Sequence, residues 1–396
     1  MNDNPKRPSG KSRVALVKCA DYDLAVLKTA IASALDKLGG IKSFLAKGRK
    51  VLLKPNLMMP KPAGFPANTH SQFIRAVIEL FRAAGAEVTV GESAAGSQAG
   101  VTFTKASLKA SGLEEICRET GASLVNFDLG AAALLPVNNS YVQRIPVARP
   151  VLDADLVVSL PKLKTHTFAN IITGAVKNMY GTIPGQIKAD FHRLAPRPSE
   201  FYTVVRDLYA IVRPGLTIFD AVDAMEGNGP SAGNLVSTGF IIASADGVAA
   251  DAVASELIGV PAEKVMTTRL CAEAGLGKGR LEDIEVLGED LRKSVVQNFK
   301  LPATAVVNPS LYKIIRSLTR SEPRVDDTAC TRCKTCVNTC PVKAMSMSIT
   351  EDRVVIDRAI CIRCFCCSEV CPQQAIHPKR RLFVGNVLSK LILSRW

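Results

Sequence analysis

The sequence CTRCKTCVNTCP at residues 330–341 recurs as CIRCFCCSEVCP at residues 361–372, with the same spacing of four cysteines before a proline. Nine of the chain's twelve cysteines lie between Cys330 and Cys371. Thiols concentrated in so short a segment are typical of a metal site, whereas disulfide frameworks belong mainly to small secreted proteins. The repeated spacing therefore predicts a small metal-binding module with two pseudo-symmetric halves.

The spacing within each motif distinguishes an iron–sulfur module from a zinc site. Three cysteines spaced by two residues wrap around one face of a [4Fe-4S] cube, and the fourth cysteine, before the proline, reaches the other cube. Zinc sites also use pairs of cysteines two residues apart, but they need neither the third cysteine nor the proline. The spacing therefore favours two [4Fe-4S] clusters with ligands crossed between the motifs. The predicted ligands are Cys330, Cys333, Cys336 and Cys371 for the first cluster, and Cys361, Cys364, Cys367 and Cys340 for the second.

Residues 328–373 resemble a bacterial-type ferredoxin with two [4Fe-4S] clusters. The resemblance implies a small α+β module that passes single electrons at low potential. Cys366 is an additional thiol inside the second motif, and we expect it to be a non-ligating neighbour. Because the resemblance covers only this segment, the function of the rest of the chain has to be argued separately.

Length and composition describe a globular protein of several domains. A chain of 396 residues suits two or three domains, because a single core rarely grows past roughly 250 to 300 residues. Residues 1–13 are polar and basic and no run of about 18 apolar residues occurs, so we expect a cytoplasmic protein without signal peptide or spanning helix. The formal charge of +14 is compatible with several classes of anionic partner. The low aromatic content of 5% argues against nucleic-acid binding.

Short β-branched strands alternate with amphipathic helices over residues 10–297, which predicts an α/β domain with a mostly parallel sheet and flanking helices. Residues 298–327 are expected to form a linker, 328–373 the cysteine module and 374–396 a basic amphipathic tail. The predicted strands are Val14–Val17, Val51–Leu53, Val88–Val90, Leu124–Phe127, Leu156–Ser159, Leu216–Phe219 and Phe240–Ala243. The predicted helices are Asp23–Leu38, Ser71–Ala84, Phe201–Val212 and Val248–Ile258, with shorter ones at Leu311–Leu318 and Leu382–Trp396.

Polar residues follow four of the predicted strands, at the position where open α/β sheets bind their ligands. The lysines among them suit an anionic substrate or cofactor, while carboxylates and an imidazole can move protons or hold a metal. For any single residue, a solvated lysine or an ion-paired acid is the ordinary alternative. The residues predicted to act in catalysis are Lys162, Lys164, His166, Asp220 and Glu226. Those predicted to bind the substrate are Lys54, Asn56, Glu92, Ser93, Lys177 and Asn178.

Two glycine-containing segments partly match nucleotide-binding motifs. Gly227, Gly229 and Ala232 fit the pattern GxGxxA, but this run leads towards another strand, so the helix terminus that binds pyrophosphate would be missing. The segment Gly174–Gly181 lacks the Gly-Lys-Ser/Thr ending of a phosphate loop. Neither segment therefore predicts NAD or ATP binding.

Four separated motifs resemble domain of unknown function family 362, a group of bacterial and archaeal proteins. They are Lys54-Pro55-Asn56, Pro161–His166, Gly174–Gly181 and Asp220–Pro230, and the similarity extends over about residues 10–290. Members of that family often carry a ferredoxin-like segment. The resemblance thus implies an architecture and a redox setting without a defined reaction.

Two functions fit these observations. The first is a redox enzyme in which two [4Fe-4S] clusters relay electrons to an anionic substrate or cofactor in the α/β domain, since fusion raises the effective concentration of donor at acceptor. The alternative is a non-catalytic electron-transfer or assembly protein whose α/β domain binds a partner. The expected partner is a redox partner protein or a small anionic substrate. The basic, apolar-faced tail also favours peripheral contact with an anionic membrane, with packing against the cysteine module as the alternative.

Overall fold

The structure is a computed structural model that describes residues 10–95, 97–98, 101–167, 171–302, 321–348 and 350–380. The helices predicted at Leu311–Leu318 and Leu382–Trp396 lie outside these residues. The strands up to residue 297 are β1 (Ser12–Lys18), β2 (Lys50–Pro55), β3 (Glu87–Glu92), β4 (Ser97–Gln98), β5 (Val101–Thr102), β6 (Ser123–Asn126), β7 (Ala132–Pro136), β8 (Arg144–Ala148), β9 (Leu156–Leu160), β10 (Lys162–His166), β11 (Ile171–Thr173), β12 (Leu216–Glu226), β13 (Asn234–Ser244) and β14 (Ile284–Gly288). Each of the seven predicted strands overlaps one of them.

Within the described residues up to 297, helices lie in six of the connections between consecutive strands. They are α1 (Leu24–Lys37), α2 (Ile41–Phe44), α3 (Ser71–Ala83), α4 (Thr104–Ala110), α5 (Leu113–Thr120), α6 (Arg149–Leu152), α7 (Ala175–Asn178), α8 (Ile187–Leu194), α9 (Pro198–Val212), α10 (Gly247–Leu257), α11 (Met266–Glu273) and α12 (Leu291–Ser294). The four longer predicted helices correspond to α1, α3, α9 and α10. Local capping helps to define them, because the Asp23 and Asp246 carboxylates accept the first N–H groups of α1 and α10.

The central sheet pairs its strands in the order β14, β1, β13, β12, β9, β2, β3 and β6. The neighbours from β12 to β6 are parallel, and so are β1 and β14, whereas β13 runs antiparallel to both β1 and β12. Two more strands belong to this sheet: β10 pairs parallel with β12 and antiparallel with β11. The predicted α/β class with a mostly parallel sheet is therefore confirmed, and the carboxyl ends of β9, β2 and β3 meet at one edge.

Helices cover both faces of the sheet. Val51 and Leu53 of β2 are buried against α1, α3 and α5, while Leu52, pointing the other way, is buried with residues of α9, α10 and α11. A strand buried on both faces reads as a continuous apolar run, which is why β2 and β9 were recognisable in the sequence. None of the helices in the described residues combines the length and the apolar character needed to cross a bilayer.

The cysteine module consists of two strand pairs and two short helices. These elements are β15 (Ser321–Val325), α13 (Thr335–Thr339), β16 (Met345–Ser348), β17 (Arg353–Ile356), α14 (Cys366–Glu369) and β18 (Ile376–Arg380). β15 pairs antiparallel with β18, and β16 with β17. Since β15 falls in the range expected as a linker and β18 in the range expected as a tail, the folded module extends beyond residues 328–373 at both ends.

Candidate functional site

The eight predicted cluster ligands lie in two groups of four, each around a small pocket. Cys330, Cys333, Cys336 and Cys371 line one pocket, and Cys340, Cys361, Cys364 and Cys367 line the other, so each motif contributes its fourth cysteine to the other pocket. Backbone N–H groups of Ala344 and Ala375 donate to the sulfurs of Cys340 and Cys371 over 3.1 and 3.2 Å. Four thiols per pocket, with N–H donors to sulfur, fit the donor set of a [4Fe-4S] cube.

The backbone repeats between the two cysteine motifs. Arg332 and Lys334 have φ angles of 58° and 61°, and the equivalent Arg363 and Phe365 have φ angles of 58° and 61°. Positive φ is uncommon for residues other than glycine, so its recurrence at matching positions marks the same tight loop. That loop turns three thiols of each motif towards a common pocket.

A separate cavity of about 120 Å³ lies at the carboxyl ends of β2 and β3, beside β10 and α7. The structure brings together at this cavity eight of the eleven residues predicted to bind substrate or act in catalysis. They are Lys54, Asn56, Glu92, Ser93, Lys164, His166, Lys177 and Asn178. Their convergence follows from the sheet, because the carboxyl ends of neighbouring parallel strands share one edge.

A buried ion pair joins β2 to β3 beneath this cavity. Lys54 Nζ lies 2.8 Å from Oε2 of Glu92 and also donates to the Pro55 carbonyl over 2.7 Å. Glu92 accepts further hydrogen bonds from the backbone N–H groups of Leu57 and Ser93 over 3.1 and 2.9 Å. Burial lowers the pKa of Lys54 and raises the pKa of Glu92, and the contact between the two charges opposes both shifts. The pair is therefore an internal brace whose charges are already matched.

The two asparagines of the cavity hold backbone segments in place. Asn178 Nδ2 donates to the Lys54 carbonyl over 2.9 Å and to the Ser159 hydroxyl over 3.0 Å, which ties α7 to β2 and β9. Asn56 Nδ2 donates to the Ala67 carbonyl over 2.5 Å and so secures the loop after β2. These hydrogen bonds fix the backbone around the cavity, and other side chains form the rest of its lining.

Three lysines at the cavity have no carboxylate within salt-bridge distance among the described residues. Lys164 Nζ donates to the Ala67 carbonyl over 2.8 Å, and Lys177 Nζ lies 4.9 Å from the centroid of the Tyr180 ring. Lys188 Nζ donates to the two carbonyls that follow β3 over 2.6 and 3.0 Å. Burial and the charge of Lys177 lower the pKa of Lys164 to about 7, and burial lowers the pKa of Lys188 to about 8. An anion would relieve this concentration of positive charge.

The cysteine module forms one wall of the same cavity. Cys366 and Glu369 of α14 and Thr339 of α13 line it, although Cys366 lines neither cysteine pocket. His166 Nε2 lies 3.4 Å from Oε1 of Glu369. Burial opposes the charge of Glu369, but the hydrogen bond with His166 and the charge of Lys177 outweigh it and lower the pKa of Glu369 to about 2. Burial lowers the pKa of His166, and the hydrogen bond with Glu369 and its charge oppose that shift.

Lys162 and Asp220, both predicted to act in catalysis, do not line the cavity. Lys162 Nζ donates to Asp220 Oδ2 over 2.9 Å and to the Tyr22 hydroxyl over 2.6 Å, and that hydroxyl donates to Asp220 Oδ1 over 2.8 Å. The pairing of β10 with β12 shifts between Lys162, which faces Asp220, and Lys164, which faces Met225. This irregularity places two lysines of one strand in different surroundings.

Glu226, the third such residue, lies outside the cavity as well. Its Oε1 lies 3.1 Å from Lys300 Nζ, and its Oε2 accepts the backbone N–H of Lys300 over 2.9 Å. Asp220 and Glu226 lie outside the cavity because β12 is longer than predicted. The strand continues to Glu226 instead of ending at Phe219, so Asp220 lies within it. From the segment after β12, Pro230 reaches the cavity, and the segment joins β12 to β13 without a helix.

Sequence reasoning missed several residues of the cavity. Lys188 and His192 of α8 and Thr173 of β11 line it. The ring of His192 stacks on Phe201 with centroids 4.0 Å apart, and burial lowers the pKa of His192 to about 4. The available signal was a lysine and a histidine four residues apart after the segment Gly174–Gly181, a spacing that puts both on one face of a helix.

Comparison with known families agrees with this architecture. A family model described as Domain of unknown function (DUF362) matches residues 51–256, and one described as 4Fe-4S dicluster domain matches residues 322–374. The chain belongs to the DUF362 family, and the predicted fusion with a ferredoxin-like segment is confirmed. The dicluster domain makes it an iron–sulfur protein with a ferredoxin-like electron-transfer segment.

Individual relatives extend the comparison. The chain is 30% identical over 307 residues to the Thylakoid-associated protein sll1697 of Synechocystis sp., an alignment that covers 77% of this chain and 92% of that protein. The solved structure of the lactate racemase apoprotein from Thermoanaerobacterium thermosaccharolyticum is similar at a TM-score of 0.36 and 15% identity. That alignment covers 62% of this chain and 57% of the racemase, less than two thirds of its length.

Proposed function

We propose that the chain is a ferredoxin-type oxidoreductase in which two [4Fe-4S] clusters relay electrons to an anionic substrate in the cavity. One observation carries the proposal: Cys366 and Glu369 of α14 line the cavity together with lysines of the α/β domain. Cys366 stands directly before Cys367 in the chain, and Cys367 lines the second cysteine pocket. A substrate in the cavity and a cluster in that pocket would therefore lie on two sides of one short helix.

The order of the two clusters in the relay follows from which ligands adjoin the cavity. Three residues of its lining directly precede a cysteine ligand: Thr339 and Cys366 precede Cys340 and Cys367 of the second pocket, and Val370 precedes Cys371 of the first. When bound, the clusters would accept and release single electrons at low potential. We therefore assign the second pocket to electron delivery and the first pocket, with Cys330 among its ligands, to electron entry from a redox partner protein.

The protein's own residues supply binding and protons. Lys177 and Lys188 hold the anion, and Lys164, with its pKa lowered to about 7, is an ammonium acid suited to proton transfer near neutral pH. Where the reduction forms two new bonds to hydrogen, two protons accompany the two electrons, so a proton donor at the cavity is required. Lys162 and Asp220 act at a distance, because their ion pair holds β10 against β12 and thereby positions Lys164.

Anaerobic reconstitution tests the electron path. We expect about eight irons per chain and a paramagnetic signal after reduction, since each of two cubes holds four irons. With reduced methyl viologen as donor and a panel of small carboxylates and inorganic oxyanions as acceptors, the wild type and Lys109→Gln, which alters an exposed lysine, should oxidise viologen. Lys164→Met and Cys367→Ser should not. Stoichiometric zinc without iron, or viologen oxidation no faster than with Cys367→Ser for the whole panel, would refute the proposal.

The name of the cyanobacterial relative gives a reason to extend the proposal to membranes. That protein is described as thylakoid-associated, and residues 374–396 of this chain are rich in lysine and arginine without an acidic residue. We propose that this tail contacts an anionic membrane surface. Sedimentation with phosphatidylserine vesicles should be stronger for the full chain than for a chain ending at Arg380. Equal partitioning of the two would exclude this role.

A further inference from the structure

We infer that the cavity binds a small oxyanion with two or more negative charges, a short dicarboxylate or an inorganic oxyanion, and excludes nucleotides and flavins. The inference rests on the proposed function in that it names the substrate class of the same cavity. Its test, however, is a binding measurement that needs no electron transfer. Three observations carry it: an unpartnered hydroxyl, an excess of ammonium groups and the size of the cavity.

The unpartnered hydroxyl belongs to Thr173. This residue lines the cavity and is 7% exposed, and its Oγ1 has no hydrogen-bond partner within the described residues. Thr173 pairs directly with Lys164 across β11 and β10. Opposite residues of an antiparallel pair share a face of the sheet, so the side chains of Thr173 and Lys164 leave the sheet on the same side. A buried hydroxyl without an acceptor is unfavourable, and an oxygen of a bound oxyanion supplies that acceptor.

The ammonium groups at the cavity outnumber the carboxylates that face them. Lys54 and Glu92 neutralise each other in their buried pair. Lys164, Lys177 and Lys188 remain, and Glu369 is the other carboxylate among the described residues of the lining. Three ammonium groups against one carboxylate match a ligand with at least two negative charges. Burial is the main cause of the lowered pKa of Lys164 and of Lys188, and the nearby carboxylates, Glu369 for Lys164 and Asp128 for Lys188, oppose it only in part.

The size of the cavity limits the ligand. Its volume is about 120 Å³, well below the roughly 300 to 1,000 Å³ of pockets that hold drug-sized ligands. The α14 wall closes one side, so the buried part of the cavity has room for a group far smaller than a nucleotide or a flavin. A short dicarboxylate or an inorganic oxyanion matches this space.

Calorimetry with the oxidised holo-protein under anaerobic conditions tests the inference, with succinate, sulfate, ADP and FMN as probes. We expect succinate or sulfate to bind, which also separates the two kinds of oxyanion, and ADP and FMN to give no heat. Thr173→Val should weaken anion binding about tenfold, the size of a lost hydrogen bond to a charged group, while Thr173→Ser keeps the hydroxyl and the affinity. Lys177→Gln should weaken it similarly, and the matched Lys109→Gln should not.

Several results would overturn the inference. They are the absence of binding by both succinate and sulfate at millimolar concentration, binding of ADP or FMN in their place, and unchanged anion affinity in Thr173→Val. Circular dichroism of each variant separates lost affinity from lost folding, and Thr173→Ser provides a conservative reference. Anion binding by a protein that never oxidises viologen would refute the proposed function and leave this inference standing.

Discussion

Gly181 stands beside the buried ion pair of Lys54 and Glu92, where no side chain fits. A Cβ atom at residue 181 would lie 2.3 Å from Oε1 of Glu92 and 2.6 Å from Nζ of Lys54. Neither charged end can retreat cheaply, because Lys54 also donates to the Pro55 carbonyl and Glu92 accepts two backbone N–H groups. Separating a buried ion pair costs about 3 to 5 kcal/mol. We therefore expect Gly181→Ala to lower the free energy of unfolding by about 3 kcal/mol.

Thermal unfolding of the anaerobic holo-protein, followed by circular dichroism, measures this effect. A loss of about 3 kcal/mol in a domain of this size corresponds to a midpoint roughly 6 °C lower. Gly130→Ala is the matched control, because a Cβ atom there meets nothing within 4 Å and its backbone does not have positive φ. If Gly181→Ala and Gly130→Ala unfold at the same temperature, the Lys54–Glu92 pair accommodates the methyl group without loss of stability and does not brace the cavity.

Three further predictions concern other parts of the site. Asp251→Ala removes the carboxylate that accepts the first two N–H groups of α7. The free energy of unfolding should fall by about 2 kcal/mol in the same thermal assay. An unchanged unfolding midpoint would contradict this capping role. Iron analysis should find wild-type iron in Cys366→Ser but a loss of about four irons in Cys367→Ser, and equal losses would make Cys366 a ligand. Burial and a neighbouring lysine lower the pKa of Lys164 to about 7, so succinate affinity should fall as pH rises through that value. Lys164→Met should lack this step, and a wild-type affinity independent of pH would contradict the assignment.

The elements that could be predicted from the sequence are those whose signals are local. β2 and β9 are runs of apolar residues buried on both faces, and α3 repeats apolar residues at three and four positions. The cysteine spacing is local in the same sense, because three thiols of each motif reach one pocket through a single loop. Such features need no knowledge of the rest of the fold.

The residues around Lys162 could not be predicted because their placement depends on pairing. Lys162 and Lys164 occupy alternate positions of one short strand, which ordinarily turns both to one face. The shift in pairing with β12 separates them, and nothing in the sequence of β10 announces it. The continuation of β12 through Asp220 is likewise set by its pairing with β13, since a hairpin lengthens both strands together.

The wall formed by α14 was beyond sequence reasoning because it arises from contacts between distant segments. Gln374 Nε2 donates to the Ser231 carbonyl over 2.7 Å, and Lys61 Nζ donates to the Pro372 carbonyl over 3.3 Å. These bonds join the cysteine module to loops that follow β12 and β2, the same strands whose ends lie near the cavity. The module is therefore held in place by segments that also border the cavity.

This shared construction bears on why the two domains are fused. Fusion alone raises the effective concentration of an electron donor, and a flexible linker would suffice for that purpose. Here the cavity is complete only when α14 lies against it, because Glu369 meets His166 and Cys366 lines the space beside the lysines. The proposed substrate would meet residues of both domains in this cavity, so its binding and the proposed electron path would depend on the same contact between the domains.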